Sequence, residues 1–259
     1  ISDYAPFFEI DKTWSEGNVH PNIEANFSKY GWRIFNTHLR WEGMPKCDDV
    51  CSKTDVGAKY IYVYRDGKDV CTSFFKHLSA QADAGHYQGD FLQFVKDWCR
   101  GEIVFGGWLP HLRSWFNAEV GTDSSSKSRI HFVRYEDLVT DLPGCIRRIA
   151  RFLGYNLPDK VVDKVESQTT FEAMRNNIAK FQPVSVPWRH GFSFIRQGKP
   201  GAHDFGSTEN ALFETMLRSQ FPTLFLPRGE VDVDRIYLHI LKERAEKHEA
   251  RKDVQLFYL

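Results

Sequence analysis

The sequence has 259 residues, and its 34 Lys and Arg balance 34 Asp and Glu, so the formal net charge is zero. A 42% hydrophobic share with 15% aromatic residues suits a packed core and excludes a disordered chain. Zero net charge removes any whole-molecule field for nucleic acid or an anionic membrane, so neither partner is expected and any anion site must be built locally. No stretch approaches the roughly 18 apolar residues of a membrane span, and nothing at the start reads as a signal peptide. The five cysteines, Cys47, Cys51, Cys71, Cys99 and Cys145, are odd in number and scattered. That usage fits free thiols in a reducing, cytoplasmic setting. Cys47 and Cys51 have no second Cys/His pair at matching spacing, so no metal is expected. Asn26-Phe27-Ser28 has the form of a glycosylation sequon without any other secretory mark.

In chain order, three apolar runs read as buried parallel strands: 32–35, 59–64 and 129–135. Helical periodicity predicts helices over 68–78, 91–100, 108–118 and 143–153, the last with Pro143 near its start, where a missing N–H is harmless. Strands alternating with helices predict an α/β fold, three layers α/β/α around a central parallel sheet. Residues 121–128 read as a polar surface loop. Between 181 and 208 the apolar residues keep no period and Gly, Pro, Trp and basic residues dominate, which marks a long functional loop. The closing stretch, 230–252, is a charged helix from Asp232 to Lys252 with Ile236, Ile240 and Leu241 on one face. The length fits a single domain over 1–259.

The most informative stretch is 62–75. A strand ends at Arg65, a Gly-containing turn follows and a helix starts, which places Arg65 and the first helical amides at the carboxyl edge of a parallel sheet, where open α/β folds bind ligands. A helix N-terminus favours an anion, and a guanidinium beside it adds a charge-assisted contact, so Arg65 and Ser73 can clamp a phosphate. The plain alternative is an ion pair of Arg65 with Asp66 or Asp69. Composition alone leaves both open.

Arg65 through Ser73, with its Lys68-Asp69 pair, resembles the signature by which cytosolic-type sulfotransferases hold the 3′-phosphate of 3′-phosphoadenosine 5′-phosphosulfate (PAPS). Four more stretches follow in family order. Arg33-Ile34-Phe35-Asn36-Thr37-His38-Leu39 is similar to the strand ending in Lys-Thr-His-Leu, and the resemblance makes His38 the catalytic base. Phe132-Val133-Arg134-Tyr135-Glu136-Asp137-Leu138, with Phe152-Leu153-Gly154 after it, resembles the Tyr-Glu-Asp-Leu strand end, and Tyr135 is expected to reach the nucleotide. Thr169-Thr170-Phe171-Glu172-Ala173-Met174 is similar to the adenine-binding Thr-Ser-Phe-x-x-Met. Phe194-Ile195-Arg196-Gln197-Gly198-Lys199-Pro200-Gly201 is similar to the Arg-Lys-Gly loop over the 3′-phosphate.

The resemblance implies the P-loop nucleotide-kinase-like sulfotransferase fold and transfer of a sulfonyl group from PAPS to a hydroxyl or amine of a small acceptor. The bisphosphate PAP is the product. PAPS would be held by Arg65, Ser73, Tyr135, Thr169, Phe171, Met174, Arg196, Gln197 and Gly198, with His38 taking the acceptor proton and no metal required. Without the resemblance, His38 would read as a core histidine and 169–174 as the buried face of a helix.

Some positions depart from the pattern. Asp66 replaces an asparagine, Asn36 stands where the family often has lysine, and Gln197 replaces the lysine of Arg-Lys-Gly. The family's dimer motif is poorly met by 203–214, so that dimer is not implied. The phosphosulfate loop Pro-Lys-Ser-Gly-Thr-Thr-Trp is not found, and Gly201-x4-Gly206-Ser207-Thr208 lacks the lysine of a Walker-type loop. Ile1 stands first and the earliest methionine is Met44, so the expectation is a domain lacking its N-terminal strand and that loop. Asn36, Gln197 and the long charged C-terminal helix motivate a second reading, a catalytically inactive sulfotransferase-fold binding or assembly module. A P-loop nucleotide kinase is disfavoured by the missing Gly-Lys-Ser/Thr loop.

Overall fold

The computed structural model describes residues 4–9, 25, 28–44, 58–82, 86–118, 129–183, 186–221, 236, 238–240 and 242. Two strands, β1 (Tyr60–Tyr64) and β2 (Ile130–Arg134), pair in parallel with Tyr62 opposite Phe132. The main helices are α1 (Gly67–Ser79), α2 (Phe91–Arg100), α3 (Trp108–Ala118), α4 (Tyr135–Thr140), α5 (Leu142–Leu153), α6 (Asp159–Thr169), α7 (Phe171–Asn176), α8 (Ile178–Phe181) and α9 (Ser207–Gln220). A 3-10 turn covers Trp41–Gly43.

Alternation along the strands decides what each sheet face meets. Tyr62 and Phe132 point toward α3, where Phe132 stacks on Phe116 at 4.6 Å and Tyr62 on Trp115 at 5.1 Å. On the other face His131 stacks on Phe152 of α5 at 5.2 Å. Helices therefore lie on both faces of the small sheet. Below it, α1, α2, α3 and α9 share one apolar core, with Cys71, Phe94, Val95, Leu109, Leu112 and Leu217 buried. Each large side chain there contributes about 1.5–3 kcal/mol relative to exposure.

Three strand expectations are corrected. Residues 32–35 do not join the sheet: the segment makes one parallel bridge, Asn36 to Phe7, with Phe8 N–H donating to Asn36 O at 2.8 Å and Asn36 N–H to Pro6 O at 3.0 Å. Ile34 is 59% exposed, so apolarity there reflects no burial among the described residues. β1 is half-buried: its tyrosine face is covered while Ile61 and Val63 are 41% and 51% exposed. The run 129–135 also ends one residue early, because Tyr135 already opens α4.

The four expected helices form within one residue of their expected bounds. Asp90 caps α2 by accepting from Gln93 N–H at 2.8 Å, and Asp141 caps α5 by accepting from Gly144 N–H at 3.0 Å. The long loop holds between α8 and α9 over the described residues 182–183 and 186–206, with an isolated bridge from Gln81 to Trp188. Ile236 and Ile240 of the C-terminal helical stretch are buried against the core. The 121–128 loop, Leu241, Cys47, Cys51 and the first two sequon residues lie outside the described residues.

At the junction of β1 and α1, Asp66 Oδ1 accepts from the N–H groups of Lys68 at 2.9 Å and Asp69 at 3.1 Å. Asp66 is thus a helix cap, and it makes no ion pair with Arg65 among the described contacts. Asp66→Ala is expected to cost about 0.5–2 kcal/mol in urea unfolding, while Asp66→Asn, an equally good cap, stays close to the wild-type stability.

Candidate active site

One turn into α1, the buried Asp69 carboxylate takes up the end of β1. Its Oδ2 accepts from Arg65 Nε at 3.1 Å and Nη2 at 2.8 Å, and from the Gly201 N–H at 2.8 Å. Arg65 Nη2 also donates to Lys199 O at 2.8 Å, and the guanidinium lies 4.2 Å from the centre of the Tyr135 ring. The ion pair that the sequence left open is real and falls on Asp69. It does not exhaust Arg65, whose Nη1 makes no hydrogen bond among the described residues.

The loop facing α1 brings a second guanidinium. Arg196 Nη2 donates to Ser73 Oγ at 3.4 Å, and the Asp204 N–H donates to Thr72 Oγ1 at 3.1 Å. Burial lowers the Arg196 pKa from its ordinary value, Asp204 opposes the shift, and the nearby charge of Arg65 adds to it. Two half-buried like charges within electrostatic reach of each other favour a nearby anion. Gly198 sits at φ +62°, and a Cβ there would overlap the Phe171 ring, so only glycine lets the loop lie on that ring. Beside it is a cleft of about 530 Å³ lined by Phe171, Arg175, Arg196, Gln197, Lys199 and His203 among others.

Of the three expected adenine contacts, Phe171 alone lines this cleft. It opens α7, which Thr170 caps by accepting from Ala173 N–H at 3.1 Å. Met174 lies one turn further on α7. The Thr169 hydroxyl donates back to Val165 O at 2.8 Å within α6.

His38 is held from its backbone. Its N–H donates to Glu9 Oε1 at 2.6 Å, and the same oxygen accepts from Thr37 Oγ1 at 2.8 Å. The ring is edge-on to Phe7 at 5.0 Å and stacked on Phe105 at 5.0 Å, while one side stays open to solvent. Desolvation by these rings lowers the His38 pKa below 6.5, Glu9 acts in the opposite direction, and His111 lowers it further. The neutral form, which can accept a proton, is favoured. The Asn36 side chain is spent within its own segment, its Nδ2 donating to Ala5 O at 2.5 Å.

One residue near the site that sequence reasoning did not single out is His77, one helical turn beyond Ser73. Its ring lies edge-on to Trp188 at 4.9 Å and 6.0 Å from Phe194. Burial brings its pKa down to about 4, with the charges of His38 and Arg196 adding to the shift, so it lies within electrostatic reach of both. The i, i+4 spacing from Ser73 was the available signal. No cluster of three or more metal-ligating side chains occurs among the described residues, and none of their helices is long and apolar enough to cross a membrane.

A strand end, a capped helix and a cation-lined cleft beside an aromatic ring thus meet at the edge of the parallel sheet. The chain belongs to the sulfotransferase domain family, whose model matches residues 1–219. It is 31% identical over 216 residues to Homo sapiens sulfotransferase 2B1, covering 80% of this chain and 56% of that protein. Against the Oryctolagus cuniculus amine sulfotransferase the identity is 30% over 232 residues, covering 82% of this chain and 72% of the relative. The fold is similar to the crystal structure of retinol dehydratase in complex with androsterone and inactive cofactor PAP, with TM-score 0.59 and 25% identity over 77% of this chain and 57% of that one. The chain thus spans little more than half the length of human sulfotransferase 2B1.

The low pKa of His77 has a sign that can be tested. As pH falls from 6.5, the unfolded histidine takes up its proton first, while the folded one resists until about pH 4. The unfolded state binds more protons across that window, so stability is lost as pH falls through it. His77→Phe should flatten this slope in urea unfolding between pH 7 and pH 4.5. A slope identical to wild type would show that His77 is not buried as described.

Proposed function

We propose that this protein transfers a sulfonyl group from PAPS to a hydroxyl or amine of a small acceptor, with His38 as general base. The observation that carries the reading is the convergence of Arg65, Arg196 and Ser73 beside the Phe171 cleft. That arrangement offers guanidinium N–H donors and a hydroxyl to a phosphate next to a flat ring suited to a purine. The residues fit the group: Arg65 Nη1 makes no hydrogen bond among the described residues, and Gly198 lets the loop backbone close on Phe171. Tyr135 braces Arg65 from below. Gln197 and Lys199 line the cleft with Arg196, and Thr169 and Met174 flank Phe171 in the chain.

PAPS would supply the sulfonyl group and leave as PAP. The protein's own part is to fix the bisphosphate and to accept the acceptor's proton on the neutral imidazole of His38 as the new bond to sulfur forms. Positioning and charge neutralisation then carry most of the rate. PAP is bound in the retinol dehydratase structure, and androsterone, a small hydroxyl-bearing molecule, is bound there too, which supports the cosubstrate and acceptor class. The amine sulfotransferase match keeps amines within that class.

A second reading is an inactive sulfotransferase-fold binding module. The observation in its favour is Asn36, whose side chain is spent on Ala5 O and which brings no cation to the His38 segment.

Two measurements on the full-length protein separate these readings. Calorimetry should show that PAP binds much more tightly than AMP, and Arg196→Ala should remove most of that difference, an effect of about 2–5 kcal/mol on PAP alone. Equal affinities for the two nucleotides in wild type would defeat the 3′-phosphate site. His38→Ala should leave PAP affinity within a few-fold and lower turnover by about 10²–10⁴. PAPS binding with no sulfonation across phenols, alcohols and amines would establish the inactive module.

A further inference from the structure

The backbone carbonyl of His38 is bonded to a residue that lies outside the nucleotide cleft. His111 of α3 places Nε2 2.9 Å from His38 O and Nδ1 3.0 Å from the Tyr62 hydroxyl. A carbonyl oxygen only accepts, so Nε2 carries the proton. Burial holds the His111 pKa below 6.5, although its bonds to the His38 and Leu39 backbone and the Glu42 charge act upward while Arg40 acts downward. The neutral ring is thereby favoured, and in it Nδ1 keeps a lone pair that accepts the Tyr62 hydroxyl. One tautomer satisfies both contacts.

The anchor behind this bond is rigid. Tyr62 belongs to β1, stacks on His111 at 5.8 Å and on Trp115 at 5.1 Å. The same helix holds the next residues as well: Trp115 Nε1 donates to Leu39 O at 3.0 Å, and the Trp41 N–H donates to Ser114 Oγ at 2.6 Å. By contrast, the His38 ring itself makes no hydrogen bond among the described residues. In most general-base histidines a carboxylate or carbonyl on the second ring nitrogen fixes the imidazole. Here orientation has to come through the peptide planes on either side of the residue and through the Phe7 and Phe105 rings.

We infer that His111 is a positioning residue for His38, coupling the sheet to the base through the Tyr62 hydroxyl, the His111 ring and the His38 carbonyl. The inference rests on the proposed role of His38 as the base. Losing the His111 bond frees the peptide that sets the Cα–Cβ direction of His38, and a displacement of about 1 Å at a reacting group costs up to about a hundredfold in rate. Because His111 does not meet the nucleotide, the loss belongs to kcat and not to PAP affinity.

The test combines three variants with a spectroscopic readout. In histidine-labelled full-length protein, long-range nitrogen–proton NMR should show His111 protonated at Nε2; protonation at Nδ1 overturns the inference. His111→Leu should lower kcat by about tenfold or more with PAP affinity within twofold. His111→Gln, whose amide N–H can reach the same carbonyl, should recover most of the loss. Wild-type kcat in the Leu variant, or equal damage in Leu and Gln, overturns it.

If His111→Leu does not fold, Tyr62→Phe, which removes only the hydroxyl, should still shift the His38 ring resonances and lower kcat several-fold; no change in either refutes the coupling. Wild-type protein without turnover would sink the enzyme reading by itself. The positioning claim is then decided by the His38 ring resonances, which move in His111→Leu if it is right and stay in place if it is wrong.

Discussion

Three donors converge on the Asp69 carboxylate, two from the Arg65 guanidinium and one from the Gly201 amide, so that distant parts of the chain meet there. A buried carboxylate alone would cost several kcal/mol of desolvation. The guanidinium fork offsets that cost, and the amide of the 196–201 loop is drawn in by the remaining demand of the anion. Strand end, helix and loop are thereby joined at one oxygen. The Tyr135 ring beneath Arg65 brings the start of α4 to the same point. Without Asp69, Arg65 would keep only its bond to Lys199 O and its contact with the Tyr135 ring.

The loop over 196–204 has no regular hydrogen-bonded structure of its own, and α1 supplies it. Asp69, Thr72, Ser73, Lys76 and His77 recur at helical spacing and form one face. Asp69 meets Gly201, Thr72 meets Asp204, Ser73 meets Arg196 and Lys76 pairs with Asp204. One turn on, His77 packs against Trp188 and Phe194 of the same long connection. The opposite face buries Cys71 and Leu78 in the core, with Phe75 packed against it. A single amphipathic helix thus orders an irregular loop on one side while anchoring itself on the other. His77 closes this face toward the segment that carries His38.

What could be read from the sequence followed from local signals. The helices α2 and α5 are bounded by capping aspartates and strong apolar stripes, and β1 with its Arg65 terminus is an apolar run followed by a cap. Reading failed where the outcome depends on a distant partner. The run 32–35 is apolar enough for a strand, but which segment pairs with it is not encoded locally, and the structure gives it only Phe7. α6 is hard to see in the sequence because a single buried residue, Val162, leaves it with almost no apolar stripe. Motif order brought Arg65, Ser73 and Arg196 to one locus, yet the Thr169 hydroxyl turned back on its own helix, a rotamer choice no motif specifies. His111 and Tyr62 are invisible as a pair because their contact and the bond to His38 O span 49 and 73 residues.

The chain carries no net charge, and yet the cleft is lined by several cations. The resolution lies in which charges are already matched. Asp69 is paired with Arg65, and Asp204, which lines the cleft, is paired with Lys76, so both carboxylates are neutralised within the fold. Arg196, Lys199 and Arg175 then remain at the cleft walls, and the charge of Arg65 still lowers the pKa of Arg196. A local excess of cation survives in an electroneutral molecule because the pairing is spatial and not compositional. Such a field is short-ranged, falling off within a Debye length of about 8 Å in physiological salt. A short-ranged field of this kind favours a small anion lying within the cleft over the longer polyanions that a basic surface would collect, so a neutral composition is compatible with the proposed bisphosphate.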